Sequence, residues 1–229
     1  MGYSAAKFFR TLLESIIHAI QPEAVLDGKQ FPWAAKVEEL FPAIQREARL
    51  VLGEIEKIVN FAEVLPNQRA LKQGHDWKSY FLVALHDPVV KHQARCPVTM
   101  KALHRIPGVI NAFFSILAPG AHITAHRGPY AGILRYHLGL IIPEGDVAIR
   151  VDKRVCRWKE GASLFFDDSF DHEAWNRTES VRIILFVDME RPLPPILRGL
   201  NRFMLLLFRQ SQAAQEAYRK IMDTQILNN

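Results

Sequence analysis

Between Ala5 and Ile20, Phe9, Leu12, Leu13, Ile16, Ile17 and Ile20 recur every three or four residues, which predicts an amphipathic helix with one apolar stripe. Pro22 and Gly28 break that pattern. Trp33 to Leu40 predicts a short helix. Pro42 suits the first turn of a longer one reaching about Val59, with Ile44, Ala48, Val51, Ile55 and Ile58 facing a core. Leu65 to His75 is polar, carries Pro66, Asn67 and Gly74, and predicts a loop at the rim of a substrate entrance.

Beyond Trp77 the period changes from helical to strand-like. Lys78–Leu85, Ile110–Leu117, Ala121–His126, Gly132–Ile142, Asp146–Val151, Ala162–Asp168 and Val181–Met189 are short blocks rich in β-branched and aromatic residues. Pro119-Gly120, Pro143-Glu-Gly145 and Glu160-Gly161 punctuate them as turns. Several strands with short connections predict a closed barrel or two-sheet jelly roll with room inside for a small ligand. His86 to Gly108 reads as a loop followed by a helix. Residues from Pro195 to about Gln212 form a basic amphipathic helix.

The alternation also sorts side chains by face. In ILRYHLGLII, Leu134, Tyr136, Leu138 and Leu140 point one way, while Arg135, His137 and Gly139 point the other. In VRIILFVDM, Arg182 shares a face with Ile184 and Phe186. A cation turned into a barrel is costly without a partner, so Arg135 and Arg182 read as receptors for an anionic ligand such as a dicarboxylate. His126 and His172 lie 46 positions apart, a separation that a barrel can close and a helix cannot.

Ser115 in FFSILAPG, the segment HRGPYAGILRYHLGL from His126, FFDDSFDHEAWN around His172, and Arg182 together resemble the aspartyl/asparaginyl β-hydroxylases, which are iron(II)- and 2-oxoglutarate-dependent oxygenases. The resemblance runs from about Phe31 to Pro194, with FPW, DWKSYFL and CPVT adding to it. It implies a mainly β double-stranded β-helix (jelly roll, cupin-like) with flanking N-terminal and C-terminal α-helices. It further implies iron(II) on His126 and His172, and 2-oxoglutarate held at its distal carboxylate by Arg182 and Ser115 and at its other end by Arg135 and His137. Dioxygen would be the co-substrate, and no protein acid, base or nucleophile would be needed. Most oxygenases of this kind draw a third ligand from a carboxylate two residues after the first histidine. Here that position is Gly128, and the β-hydroxylase family resembles this chain in having glycine there, with water filling the iron position. The activity implied is hydroxylation of an unactivated C–H bond, either at the β-carbon of aspartyl or asparaginyl side chains or on a lipid A fatty acyl chain.

Composition adds boundaries to this picture. The chain has 229 residues, 49% hydrophobic and 23% charged, as expected of one catalytic unit: helical support over 1–60, a jelly-roll core over 76–193 and a helical extension over 194–229. The formal charge of +5 favours anionic partners, yet no nucleic-acid motif accompanies it. No apolar run is long enough to span a bilayer and the N-terminus makes a poor signal peptide, so a cytoplasmic location is expected, with contact at the inner face of the membrane through residues 196–209 as one reading of the basic helix. Packing on the barrel or a homodimer interface are the others. A peptide, an amino acid and a lipid all remain open as substrate.

Cys96 and Cys156 lack metal-ligand spacing and read as buried free thiols, and the Asn176-Arg-Thr178 sequon reads as accidental. His18, His75, His86, His92 and His104 are expected in surface or locally hydrogen-bonded roles. His122 lies four residues before His126 and would share its face in a regular strand. Asp167, Asp168 and Asp171 are expected to form turns or to hydrogen-bond around the site, with Asp171 facing away from His172. The alternative function is a non-catalytic jelly roll that binds an anionic ligand or partner through Arg135 and Arg182.

Overall fold

Strand-forming blocks and helical stripes assemble as two antiparallel sheets flanked by helices. The computed structural model describes residues 3–64 and 77–227, so the loop expected over Leu65–His75 lies outside the described residues. Its strands are β1 (Val25–Leu26), β2 (Trp77–Ala84), β3 (Asp87–Pro88), β4 (Val109–Leu117), β5 (His122–His126), β6 (Ile133–Ile141), β7 (Val147–Val151), β8 (Arg154–Cys156), β9 (Ser163–Phe166), β10 (His172–Asn176) and β11 (Arg182–Glu190). The helices are α1 (Tyr3–Ile20), α2 (Ala34–Glu38), α3 (Phe41–Leu52), α4 (Phe61–Val64), α5 (Val90–Ala94), α6 (Pro97–Leu103), α7 (Pro195–Arg209) and α8 (Gln212–Leu227). One sheet runs in the order β1-β9-β6-β11-β4-β2-β3 and the other β5-β10-β7-β8, the two-sheet jelly roll that the strand pattern predicts.

Each face of the larger sheet has its own core. Leu134, Tyr136, Leu138 and Leu140 of β6, with Ile183, Leu185, Val187 and Met189 of β11, pack under α2, α3 and α6. The opposite face, including Phe113, Ile184 and Phe186, meets Ile123, Ile149 and Ala174 of the smaller sheet. Both faces are covered, which is why β4, β6 and β11 read as nearly unbroken apolar runs. Polar residues on the inward face therefore stand out, and they form the site.

Several boundaries differ from the sequence expectation. The helix expected to reach Val59 ends at Leu52, and a single 3-10 turn, Ile55–Lys57, carries the chain on to buried Ile58. The Val25–Leu26 pairing with β9 places a strand inside the N-terminal segment expected to be helical. His86–Gly108 holds β3 and two short helices. The amino end of α6 is buried, and Glu47 of α3 satisfies it by accepting from the Val98 and Thr99 amides at 2.8 Å each.

In α1 the expected single stripe is divided: Leu13 and Ile17 are buried, whereas Leu12, Ile16 and Ile20 face outward. Both cysteines are buried free thiols. Asn176 is fully buried, with its amide donating to the Leu117, Ala118 and Ser180 carbonyls, so the sequon offers no accessible acceptor.

Candidate active site

His126 ends β5 and His172 opens β10, and antiparallel pairing sets them directly opposite each other with ring centroids 4.2 Å apart. A β-bulge makes this possible. Thr124 and Ala125 together oppose the single residue Glu173, so Ile123 and His126 both turn into the space between the sheets although three positions separate them. The same bulge corrects the expectation for His122. Its ring hydrogen-bonds to Glu173 at 2.9 Å and does not line the cavity. Asp171 faces away from His172 as alternation predicts, pairing with Arg150 at 2.8 Å.

Both histidines are oriented alike. Nδ1 of His126 donates to the Thr124 carbonyl at 2.8 Å, and Nδ1 of His172 to the Phe170 carbonyl at 3.0 Å. A carbonyl only accepts, so each ring carries its proton on Nδ1 and leaves the Nε2 lone pair for a metal. Burial keeps both rings neutral. It pulls the His126 pKa down, and together with Arg135 and His126 it pulls His172 to about 3. Among the described residues no cluster of three His, Cys, Asp or Glu side chains could hold a metal, so the two imidazoles are the metal-binding groups that these residues bring together.

The space left by Gly128 is filled by another residue. A Cβ on Gly128 would collide with the carboxylate of Asp168, whose carbonyl accepts from the Gly128 amide at 2.7 Å. Burial raises the Asp168 pKa to about 6; Arg135 opposes the rise, and nearby Asp188 and Asp167 add to it. Arg135 pairs with Asp168 at 2.6 Å and with Asp188 at 3.1 Å, and lies over the Phe186 ring. Burial works against its charge, but the carboxylates outweigh burial and raise its pKa. Arg135 is therefore a compensated cation, which corrects the expectation that both arginines lack partners. Asp167, also buried, pairs with Arg191 and accepts from the Ser169 amide in the turn before β10.

Arg182 is the contrary case. It is buried, and among the described residues no carboxylate pairs with it; Nη1 reaches the Ser115 carbonyl and hydroxyl at 3.3 Å each, and Nε has no partner. The guanidinium lies 4.7 Å over the Trp158 ring, and burial lowers its pKa to about 9.

Two tryptophans that sequence reasoning did not single out set the polarity of this end. The Trp77 indole donates to Ser115 Oγ at 2.9 Å, and the Trp158 indole to His137 Nδ1 at 3.2 Å. Arginine and indole N–H groups only donate, so the Ser115 hydroxyl accepts from both neighbours and must send its own proton elsewhere. His137 must likewise carry its proton on Nε2, which has no partner, and burial beside Arg135 and Arg182 keeps this ring neutral. Arg182, Ser115 and His137 thus form a donor-rich cluster that no carboxylate pairs with among the described residues.

Ser115, His126, Arg135, His137, His172 and Arg182 all line one cavity of about 30 Å³ between the sheets, together with Ile123, Ile149, Phe166, Ala174, Ile184, Phe186 and the two tryptophans. A groove of about 800 Å³ is larger and lies between the β1/β9 edge and β8, but Glu23 and Asp27 offset Arg154 and Arg157 among its walls. The smaller cavity has the stronger chemical claim, because two imidazoles and the buried, unpaired Arg182 converge in it.

Comparisons with known proteins identify the family. The model of the family "Aspartyl/Asparaginyl beta-hydroxylase" matches residues 38–192. An ornithine lipid ester-linked acyl 2-hydroxylase from Rhizobium tropici is 44% identical over 179 residues, covering 77% of this chain and 64% of that protein. The aspartyl/asparaginyl beta-hydroxylase of Homo sapiens is 32% identical over 178 residues, covering 72% of this chain and 23% of that protein. The chain thus spans less than two thirds of the length of either relative. Among solved structures, a Cupin_2 domain of an XRE family transcriptional regulator from Enterobacter cloacae aligns with a TM-score of 0.31 and 17% identity, over 36% of this chain and 82% of that one.

Proposed function

The chain belongs to the aspartyl/asparaginyl β-hydroxylase family, and from that premise we propose that it is an iron(II)- and 2-oxoglutarate-dependent hydroxylase acting on a fatty acyl chain of a membrane lipid. The observation that carries the chemistry is the pairing, in one cavity, of two neutral imidazoles with free Nε2 lone pairs and a buried guanidinium that lacks an anion. The donor set fits the groups: imidazole nitrogens suit iron(II), and a donor-rich cluster suits a carboxylate.

His126 and His172 would hold the metal. Arg182 and the Ser115 hydroxyl would bind one carboxylate of 2-oxoglutarate, and the unpartnered Nε2–H of His137 would donate to the cosubstrate's other end. Arg135 lines the same cavity with its charge already matched, so its share would be to hold Asp168 in place. When bound, iron with 2-oxoglutarate and dioxygen supplies the oxidising power for C–H hydroxylation, 2-oxoglutarate leaving as succinate and carbon dioxide. The chain's own part is orientation, charge and the exclusion of water. Apolar walls at Ile123, Ile149 and Ile184 would limit water around the reacting groups. Similarity to the Rhizobium protein supports the acyl substrate.

Anaerobic titration with iron(II) and 2-oxoglutarate should produce a visible charge-transfer band that needs both ligands and is lost in His126→Ala. Incubation with lipid extracts in air should then give succinate and an oxygen-bearing acyl chain by mass spectrometry. No band from folded protein would reject the oxygenase reading. A band without lipid product, but with oxidised aspartyl or asparaginyl peptides, would move the substrate to protein.

A further inference from the structure

The two helices that flank the site carry more apolar surface than the core uses. Phe8 is 72% exposed and Leu12 49%, with Ile16 and Ile20 continuing outward along α1. On α7, Ile196 is 82% exposed, and Leu200, Phe203 and Leu206 extend the same face. At 100° per residue, the outward arc of α1 consists of Phe8, Thr11, Leu12, Ser15, Ile16, Ala19 and Ile20, with no ionisable side chain. The two faces meet where Phe9 and Phe203 pack edge to face, ring centroids 6.4 Å apart.

Charge gathers around this surface. Lys7 and Arg10 against Glu14 in α1, with Arg198, Arg202 and Arg209 in α7, give the pair a formal +4, which Glu190 and Asp87 beside them reduce to +2. Arg202 pairs with Glu190, Arg209 with Asp87 and Arg10 with Glu14, while the guanidinium of Arg198 donates to the Leu193 carbonyl.

We propose that the joined outer faces of α1 and α7 are a docking surface for an anionic lipid bilayer, the apolar residues entering the headgroup boundary and the flanking cations meeting lipid phosphates. No helix among the described residues is long and apolar enough to cross a membrane, so the contact is peripheral. A second copy of the chain is the weaker occupant, because a two-fold contact would set the same cations of α1 and α7 against each other. The helices also hold the turn that follows His126. Arg10 donates to the Pro129 carbonyl at 3.5 Å and Asn201 to the Gly132 carbonyl at 2.9 Å, so docking would fix that turn relative to the lipid surface. The proposal concerns this surface alone and stands whether or not the cavity uses iron.

Flotation of the full chain with phosphatidylcholine vesicles, with and without phosphatidylglycerol, is the test. Binding should require the anionic lipid and weaken with added salt. It should fall about tenfold or more in Leu12→Glu/Leu206→Glu, with an unchanged melting temperature. Ile196→Glu, at the most exposed position of the patch, is the second variant in case the first disturbs packing, and Arg198→Glu should weaken binding severalfold. Failure of the folded wild-type chain to bind anionic vesicles would overturn the proposal, as would equal binding by every variant. Sedimentation showing a dimer that dissolves in the same variants, without vesicle binding, would assign the face to a second copy instead.

Discussion

Arg135 and Arg182 come from paired strands and face the same cavity, yet their surroundings are opposite. Around Arg135 the protein supplies its own anions, Asp168 and Asp188, within 3.1 Å. Around Arg182 it supplies only a hydroxyl, a carbonyl and the face of an indole. The first end has its charge matched as folded. The second carries an electrostatic deficit that a bound carboxylate would fill, and this difference separates a structural ion pair from a binding group more clearly than burial does.

The sharpest way to divide the two ends is to remove the metal side altogether. His126→Ala or His172→Ala should abolish iron-dependent absorption and turnover, a larger loss than the ~10–100-fold typical when only an outer hydrogen bond to a metal ligand is cut. 2-Oxoglutarate measured by calorimetry should still bind weakly at the donor end. Equal loss of cosubstrate binding in these variants and in Arg182→Ala would show that the ends do not act separately.

Next in size is the contrast between the arginines themselves. Arg135→Met leaves two carboxylates buried without their cation and should destabilise the protein by about 3–5 kcal/mol in denaturant titrations. Arg182→Met removes a cation that has no anion, so the ligand-free protein should be as stable as the parent or more so, while 2-oxoglutarate binding weakens by roughly 10–100-fold. Matching losses of stability would break the comparison.

A pH series gives a smaller effect with a definite sign. His126, His137 and His172 are held below the ordinary value of about 6.5, so the folded apoprotein binds fewer protons than the unfolded chain. Their contribution to stability is whole above about pH 6.5 and is lost as pH falls through the folded values, about 3 for His172. Asp168 runs the other way, its raised pKa favouring the folded state most below the ordinary carboxylate value and fading as pH rises through about 6. With three imidazoles against one carboxyl, apoprotein stability should fall from pH 6.5 to 4 in denaturant titrations, and a flat profile would contradict the neutral-histidine assignment.

The smallest expected change is Trp158→Phe. It keeps an aromatic face for Arg182 but frees the tautomer of His137, and should weaken 2-oxoglutarate about fivefold, the equivalent of about 1 kcal/mol, without altering iron affinity.

How far the sequence foretold these ends depended on the regularity of each strand. In β6 the alternation holds from Leu134 to Gly139 and in β11 from Arg182 to Phe186, so the inward direction of Arg135, His137 and Arg182 follows from counting by twos. In β5 the count fails, because the bulge at Thr124 and Ala125 adds a residue that no composition signal marks, and His122 leaves the face that it would otherwise share with His126. The strand carrying His172 was hidden for another reason: Glu173, Trp175 and Asn176 give it a polar and aromatic mixture short of aliphatic residues. The tryptophans were legible only as bulk. Their role rests on N–H directions, which depend on rotamers and on partners far along the chain. In α1, spacing identified the stripe correctly but could not divide it between core and surface, since leucines and isoleucines occupy both.

Gly128 and the Asp168 carboxylate claim one volume, and this constrains how such a chain can change. A substitution at position 128 that introduced an acidic side chain would meet Asp168 before it could serve as a ligand, and loss of Asp168 alone would strip Arg135 of an anion while leaving position 128 empty. Each step alone is expected to cost stability, so moving from the two-histidine design to a two-histidine-one-carboxylate design couples positions 128 and 168. Evolution or engineering would make that move at least cost by changing both positions at once, and the order of single mutations would set how much stability an intermediate loses.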